Sequence, residues 1–189
     1  MFPFGVAIRM TIVSIVLLGL VYPLAMTGAA QAIFPREANG SLVVRGGKVI
    51  GSQIIGQLWT KPDDFHGRPS AAGKVGYDPT ATGGTNLGPT SSKLIAATKA
   101  AIAELRKENP HATVPLPIDL VTSSGSGIDP DISVQAAFYQ APRVARARHL
   151  SVARVNAVVA HAIEPRELGI LGAPHVNVLE LNLALDALR

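Results

Sequence analysis

The sequence predicts a single N-terminal transmembrane helix plus one mixed α/β extracytoplasmic domain with about three helices and a small sheet. Three observations predict this architecture. No charged side chain occurs between Met10 and Pro35, and this run is strongly apolar. Roughly 150 residues follow it, the usual size of one domain. In that part, segments with apolar positions at helical spacing are interspersed with short β-branched runs bounded by Gly and Pro.

The apolar run is long enough to cross a bilayer as a helix. At about 1.5 Å per residue it reaches about 39 Å, and a hydrocarbon core is about 30 Å thick. Pro23 removes one backbone hydrogen bond, so we expect a bend there. Small residues that would let a neighbouring helix approach closely flank it: Gly19, Ala25, Gly28, Ala29 and Ala30.

The alternative is a cleaved signal peptide, because Ala30-Gln31-Ala32 fits the A-x-A cleavage pattern. The apolar run is longer than a signal h-region and continues past that position to Phe34, which favours a retained anchor. Arg9 and the α-amino group give the short N-terminal flank its positive charge, which places this flank in the cytoplasm. We therefore predict a cytoplasmic tail over residues 1–9, a transmembrane helix over 10–35 and an extracytoplasmic domain over 36–189.

Composition excludes several classes of protein. The chain has no cysteine, so disulfides and thiolate metal sites are excluded. The net charge of +4 comes from 17 basic and 13 acidic residues without a run of one sign, which does not favour nucleic-acid binding.

The first half of the exported part is predicted to be turn-rich. Leu42–Val44 and Lys48–Ile50, separated by Gly46-Gly47, predict a hairpin, and Ser52–Leu58 predicts a further strand. Residues 59–89 have neither helical nor strand periodicity. Because they contain Trp59, Phe65 and Tyr77, we expect an ordered, packed loop rather than a disordered linker.

The second half is predicted to hold the helices. Ser91–Glu108 predicts the first, and Pro115–Val121 an extended segment. Ser133 is a candidate N-cap of a second helix that Pro142 would break or kink. A third helix begins at Ser151 and a turn covers 168–172. Residues 176–185 alternate as a buried strand would, with a short helix over 181–188 as the alternative.

Motifs of known chemistry are absent from the sequence. There is no G-x-x-x-x-G-K-[ST] or G-x-G-x-x-G for phosphate, no G-x-S-x-G nucleophile motif, and no H-E-x-x-H metal motif. A hydrolase would have to use Ser70 or Ser126 with one of the scattered histidines. Arginines 143, 146, 148 and 154 predict a solvated helix face or, alternatively, a polar interface. On residue chemistry alone, an anchored non-enzymatic domain, an anchored exported serine hydrolase and a secreted binding protein released at Ala32 all remain open.

The order of the loop motifs adds a resemblance. After Asn39-Gly40-Ser41 the chain reads Gly51-Ser-Gln-Ile-Ile-Gly-Gln57, Phe65-His-Gly-Arg-Pro-Ser-Ala71, Gly83-Gly84-Thr-Asn86-Leu87-Gly88-Pro89, Val121-Thr-Ser-Ser-Gly-Ser-Gly-Ile-Asp-Pro130, Pro142-Arg-Val-Ala-Arg-Ala-Arg148 and Val176-Asn-Val-Leu-Glu-Leu-Asn-Leu-Ala-Leu-Asp186. From the anchor to the C-terminus this resembles the KdpC family, the C subunits of bacterial high-affinity potassium-transporting ATPases (KdpFABC). Trp59 departs from the family, in which Phe is more usual.

The resemblance implies an accessory subunit in the bacterial plasma (inner) membrane. Its partners would be a KdpA-like potassium-binding subunit, a KdpB-like P-type ATPase subunit, a KdpF-like small subunit and the lipid bilayer, with no nucleic acid. The complex would carry potassium, and the chain would have no cofactor of its own. It would stabilise the assembly, and a catalytic-chaperone role, raising the ATP affinity of the catalytic subunit, is also implied.

On the same resemblance we name candidate site residues. A nucleotide contact would use Ser123, Gly125, Ser126, Gly127 and Gln140. A partner interface would use Pro23, Asn39, Gly40, Ser41, Phe65, Arg68, Pro69, Ser70, Gly83, Gly84, Asn86, Leu87, Arg143 and Arg146. No catalytic residue and no metal ligand is predicted. Asp63, Asp64 and Asp78 could attract potassium near a pore mouth, or be ordinary solvated loop charges.

Overall fold

The computed structural model describes residues 3–188 and divides into two compact units, with the boundary between Ile50 and Gly51. The first unit begins with one apolar helix over Phe4–Ile33, whose most apolar window has a mean hydropathy of 2.3. It consists of α1 (Phe4–Ser14), a π-helical stretch (Ile15–Val21) and α2 (Tyr22–Ile33). None of its residues is buried. The expectation of a single N-terminal helix long enough to span a bilayer is confirmed.

The π-helical stretch ends directly before the first turn of α2, which contains Pro23. A proline in a helix cannot donate a backbone hydrogen bond, and its ring clashes with the carbonyl four residues earlier. Hydrogen bonds from i to i+5 widen the helix locally, and such stretches are one of the recognised sites of helix bending. The proline expected to bend the helix is therefore accommodated by a changed hydrogen-bonding pattern on its N-terminal side.

A short turn and a hairpin complete the first unit. The turn is α3 (Pro35–Ala38), and the hairpin pairs β1 (Leu42–Arg45) with β2 (Lys48–Ser52), which runs just past the boundary. Gly46 and Gly47 both have positive φ, which the tight turn between the strands requires. The predicted hairpin is confirmed. The strand predicted over Ser52–Leu58 is wrong beyond Ser52, because residues 53–58 form no strand and Ile55 joins Ser52 in an isolated bridge.

Among the residues that the structure describes, the second unit contains four α-helices, a 3-10 turn over Ile118–Leu120 and a three-stranded antiparallel sheet. The extended segment predicted over Pro115–Val121 is therefore wrong at the 3-10 turn. The helices are α4 (Ser92–Glu108), α5 (Val134–Ala147), α6 (Val152–His161) and α7 (Val178–Asp186). The strands are β3 (Asp131–Ser133), β4 (Ile163–Glu164) and β5 (His175–Asn177), in the order β3-β5-β4. Val176 in the central strand pairs with Ile132 on one side and Ile163 on the other. The predicted mixed α/β class is confirmed.

Side-chain caps explain where three of these helices begin. Ser133 accepts from the backbone N–H of Ala136, so the predicted N-cap is confirmed. Ser151 accepts from the N–H of Arg154 and caps the third predicted helix, which begins where expected. Asn177 accepts from the N–H of Glu180 and starts α7. The strand predicted over 176–185 is therefore wrong after Asn177. Asn177 and the acidic Glu180 three residues later form the start signal of a helix, which outweighs the alternating apolar pattern.

The sequence predicts a break or a kink at Pro142, and the helix is not broken there. Helix α5 runs on to Ala147 with Pro142 inside it. Residues before and after the proline bury the same helix face against one core, among them Ala137, Val144 and Ala145. Ending the helix at the proline would expose the second half of this face, and its burial outweighs the lost hydrogen bond. The core also contains Phe65 from the 59–89 loop.

Candidate functional site

The 59–89 loop is ordered, as predicted, and amide side chains hold it in place. Asn182 of α7 accepts from the Phe65 N–H at 2.7 Å and donates to the Phe65 carbonyl at 3.0 Å. Gln140 of α5 does the same for His66, at 2.8 Å and 3.0 Å. Both amides are buried. Two helices therefore pair with consecutive loop residues much as a neighbouring β-strand would, although no strand is present there.

Arg143 extends this attachment one turn further along α5. Its guanidinium donates to the carbonyl oxygens of Pro62 at 2.6 Å and Asp64 at 3.0 Å. It also donates to the side chains of Asn109 at 3.2 Å and Gln140 at 2.9 Å. Burial lowers the pKa of Arg143 from its ordinary value, and nearby acidic groups oppose that shift. A buried charge is tolerated only when its donors are satisfied, and here all three nitrogens donate to the chain itself.

Arg148, at the C-cap of α5, binds the beginning of the loop. It donates to the Asp63 carbonyl oxygen and forms ion pairs of 2.9 Å with Asp64 and with Asp186. Its side chain is only 3% exposed. The prediction of a solvated arginine face is therefore wrong for Arg143 and Arg148. Arg146 and Arg154 are exposed, as both the solvated face and the alternative polar interface require.

His66 is a loop residue whose titration is changed by packing. Burial lowers the pKa of its imidazole, and the positive charge of Arg143 lowers it further. Nε2 lies 2.9 Å from the Lys61 carbonyl, to which it donates in the neutral form. Glu108 lies 3.8 Å from Nδ1. The neutral imidazole therefore fits this site better than the charged form.

A second set of contacts, which we call the joint, connects residues 68–83 of the loop with residues 123–130. The Ser70 hydroxyl donates to the Gly127 carbonyl at 2.5 Å and accepts from the backbone N–H groups of Ala72 and Tyr77. Tyr77 donates to the Arg68 carbonyl at 2.7 Å, and burial raises its pKa to about 12. Ser70, which could have been a nucleophile, thus has its hydroxyl engaged in three hydrogen bonds.

Backbone pairing closes the same joint. The Ser124 N–H donates to the Pro69 carbonyl at 3.0 Å, and the Gly83 N–H donates to the Ser126 carbonyl at 2.9 Å. Arg68 and Asp129 form an ion pair of 2.9 Å across it. Gly127 has φ of +73°, and a Cβ placed on it would lie 2.6 Å from the Cβ of Ala72. The segments around Gly83-Gly84 and Gly125-Ser126-Gly127 therefore pack closely against each other.

The residues suggested for nucleotide contact separate into two places. Ser123, Gly125, Ser126 and Gly127 share one loop, in which Gly125 and Ser126 are exposed and Gly127 is buried. Gln140 makes its hydrogen bonds to residues 66, 136 and 143 and none to that loop.

The residues suggested for a partner interface are distributed over both units. In the first unit, Pro23 and Asn39 are exposed, Gly40 is half-buried, and Ser41 is buried with φ of +48°. In the second, Phe65 and Arg143 are enclosed by the domain. The others are exposed or half-exposed: Arg68, Pro69, Ser70, Gly83, Gly84, Asn86, Leu87 and Arg146.

The loop acids differ among themselves. Asp64 is buried and paired with Arg148, whereas Asp63 and Asp78 are half-buried. Hydrogen bonds from Thr80 lower the pKa of Asp78. Within residues 3–188, no group of three or more His, Asp or Glu side chains is arranged to hold a metal ion.

Two pockets border this arrangement. One of about 270 Å³ lies between the loop and α5, and its lining includes His66, Glu108, Arg143 and Arg146. Another of about 420 Å³ lies beside the three-stranded sheet and is lined by Asp131, Glu164, His175 and Glu180 among others. Burial raises the pKa of Asp131 there.

An apolar helix long enough to span a bilayer and an α/β domain built around one loop fit a single-span membrane protein. The family described as "KdpC: K+-transporting ATPase, c chain" matches residues 4–187. The chain therefore belongs to the KdpC family, as the resemblance predicted.

Similar proteins match along almost their whole length. The potassium-transporting ATPase KdpC subunit of Acidobacterium capsulatum is 54% identical over 183 residues, covering 97% of this chain and 97% of the relative. The KdpC subunit of Myxococcus xanthus is 55% identical, covering 97% and 87%. That of Methylococcus capsulatus is 50% identical, covering 98% of each.

Proposed function

We propose that this chain is a non-catalytic accessory subunit of a potassium-transporting P-type ATPase. The observation that carries the proposal is the extent of the similarity. Relatives named as KdpC subunits match it at 50–55% identity over almost the whole chain, including both the apolar helix and the domain. A shared fold alone would not support a shared role, but identity at this level over the whole length does.

The use of its polar side chains supports a role as a fixed surface. Gln140, Arg143, Arg148 and Asn182 have buried side chains that bind the chain's own loop. A group whose hydrogen bonds are already made inside the fold would have to break them to bind a substrate. The buried polar side chains of the domain therefore hold the 59–89 loop in one conformation. A subunit that docks on a partner requires such a fixed surface.

We further propose the arrangement of this subunit in its complex. The tail before the helix lies in the cytoplasm, and the domain lies outside, where it caps the entrance of a KdpA-like potassium-binding subunit. The KdpB-like ATP-hydrolysing subunit and a KdpF-like small subunit complete the assembly. The exposed or half-exposed candidates Arg68, Gly83, Asn86 and Arg146 face the partner in this arrangement.

A catalytic-chaperone effect on ATP fits this arrangement only indirectly. An exported domain cannot touch a cytoplasmic nucleotide, so any rise in ATP affinity would pass through the partner subunits. Direct contact through Ser123, Gly125, Ser126, Gly127 and Gln140 would require the domain to be in the cytoplasm. The KM for ATP of the complex with and without this chain measures the effect itself.

Protease accessibility tests the proposed side of the membrane. We expect the domain to be cleaved by added protease in cells in which only the outer membrane has been permeabilised. In the same cells without protease, the domain should stay intact. Protection until the plasma membrane is broken would overturn the pore-cap arrangement and favour the direct nucleotide contact. Purification of the full chain from detergent-solubilised membranes should bring the potassium-binding and ATP-hydrolysing subunits with it, and recovery of a lone monomer would overturn the accessory role.

A further inference from the structure

The turn between β4 and β5 presents three aliphatic side chains to solvent. Leu168, Ile170 and Leu171 are 86%, 75% and 56% exposed. Single exposed aliphatic residues are normal on protein surfaces, but three within four positions form a concentrated apolar feature. We call residues 167–171 the apolar tip.

The apolar tip is preformed. Glu167 and Leu171 form an isolated bridge with backbone hydrogen bonds of 3.0 Å and 2.9 Å in the two directions. The N–H of Ile170 adds a bond of 3.1 Å to the Glu167 carbonyl. Arg166 donates from its guanidinium to the Gly172 carbonyl at 2.6 Å and so closes the base of the turn. A rigid tip loses little conformational entropy on binding.

Leu168 has a backbone conformation that is unfavourable for the stability of the turn. Leu168 has φ of +52° and is followed by Gly169 at +77°. For two consecutive positive-φ residues in such a turn, Asn-Gly is the favoured pair, and a bulky side chain there is an outlier. Leu168 makes no contribution to the core, since its side chain is almost fully exposed. An exposed aliphatic residue in an unfavourable conformation points to a use outside the folded chain.

We propose that the apolar tip inserts into an apolar pocket on another subunit of the transport complex. This rests on the proposed function. Arg166 and Glu167 cancel in charge, and the Arg166 guanidinium is occupied by Gly172, so little positive charge remains for an anionic lipid surface. The tip also has no Trp or Tyr, which membrane-interface anchors favour. A neutral, rigid, aliphatic tip fits a dry protein pocket.

A matched pair of substitutions tests the contact in the assembled complex. Ile170→Asp should lower recovery of the other subunits with the full chain on the order of tenfold, because a charge would be carried into an apolar pocket. Ile118→Asp is the control, since Ile118 is also 75% exposed and lies outside the tip. Equal recovery with both variants would overturn the proposal. If the wild-type chain recovers no partner at all, the proposed function fails before the tip is tested.

A second substitution distinguishes insertion into a pocket from a purely structural role of the tip. Leu168→Asn should raise the melting temperature of the isolated full chain by about 3 °C while weakening assembly. A loss in both measurements would indicate a structural role and overturn the proposal.

A fluorescent label distinguishes a protein pocket from a lipid contact. The chain has no cysteine, so Ile170→Cys can carry a single environment-sensitive fluorophore. In phosphatidylethanolamine–phosphatidylglycerol nanodiscs, a blue shift only when partner subunits are present supports the pocket. A blue shift without them shows a lipid contact and overturns it.

Discussion

Asn182 and Phe65 are 117 positions apart in the chain, yet the side-chain amide of Asn182 satisfies both backbone groups of Phe65. Phe65 itself is fully buried, so its N–H and C=O have no access to water without this amide. The pairing therefore permits a loop residue without secondary structure to be part of the core, because buried backbone groups must be paired.

Replacing Asn182 by Leu should destabilise the domain by about 3 kcal/mol, since two buried backbone groups of Phe65 would lose their partners. The melting temperature should fall by about 6–12 °C. Trp59 is the only tryptophan and packs against the core from the same loop, so its fluorescence reports the transition. Gln135→Leu, an exposed amide on α5, is the control and should shift stability by less than about 0.5 kcal/mol. Similar melting of both variants would contradict the role given to Asn182.

Arg143 and Arg146 lie one turn apart on α5 but differ in environment, the first buried and the second exposed. Arg143→Met should cost about 3–5 kcal/mol because it removes the Arg143 donor from two loop carbonyls and from the side-chain oxygens of Asn109 and Gln140. Arg146→Met should leave the stability of the isolated chain almost unchanged. Chemical denaturation followed by Trp59 fluorescence compares the two. If both variants unfold at the same denaturant concentration, the four hydrogen bonds of Arg143 do not hold the loop.

His66 predicts a dependence of stability on pH. Its pKa in the folded chain lies below the ordinary value of 6.5, chiefly through burial. Well above pH 6.5 the imidazole is neutral in both the folded and the unfolded chain, so it gives stability no dependence on pH there. As the pH falls below that value, the unfolded chain binds the proton first, so stability is lost progressively toward the folded pKa. The difference in unfolding free energy between the wild type and His66→Gln should therefore shrink as the solution is acidified. A difference that is independent of pH would contradict this account.

The architecture could be predicted from the sequence where one local signal dominates. The uncharged N-terminal run, the hairpin glycines 46 and 47, and the caps Ser133 and Ser151 each determine their element with little help from the rest of the chain. The strand predicted over 176–185 failed where two signals competed. Alternation suggested a strand, while Asn177 followed by Glu180 marked a helix start that could have been recognised.

The side-chain hydrogen bonds that hold the 59–89 loop could not be predicted from local sequence signals. Asn182, Gln140 and Arg143 bond to residues between 34 and 117 positions away, and no local pattern encodes such partners. The only local signal was a polar side chain within an otherwise buried helix face, such as Gln140 between Ala137 and Val144. A buried polar group must be paired, so this position predicted a partner but did not identify it.

Gly127 and Gly125 allow the joint between the two glycine-rich loops to be tested apart from any nucleotide contact. Gly127 has a positive φ, and an added Cβ would overlap with Ala72, whereas a Cβ on Gly125 would have no heavy atom within 4 Å. Gly127→Ala should therefore cost about 3 kcal/mol, from backbone strain and overpacking together. Gly125→Ala should be close to neutral in the same thermal melt.

The two glycine variants also distinguish how the chain could influence ATP. If the loop only supports the docking surface, Gly125→Ala and Ser126→Ala should leave the KM for ATP of the complex unchanged. Both residues are exposed, and the hydrogen bonds of the Ser126 hydroxyl to Ser124 and to the Ile128 N–H stay within its own loop. Gly127→Ala should then weaken assembly in proportion to its loss of stability. A several-fold rise in KM with Ser126→Ala, in a complex that assembles normally, would instead indicate direct contact with the nucleotide. It would also contradict an extracytoplasmic position of the domain, since ATP is on the other side of the membrane.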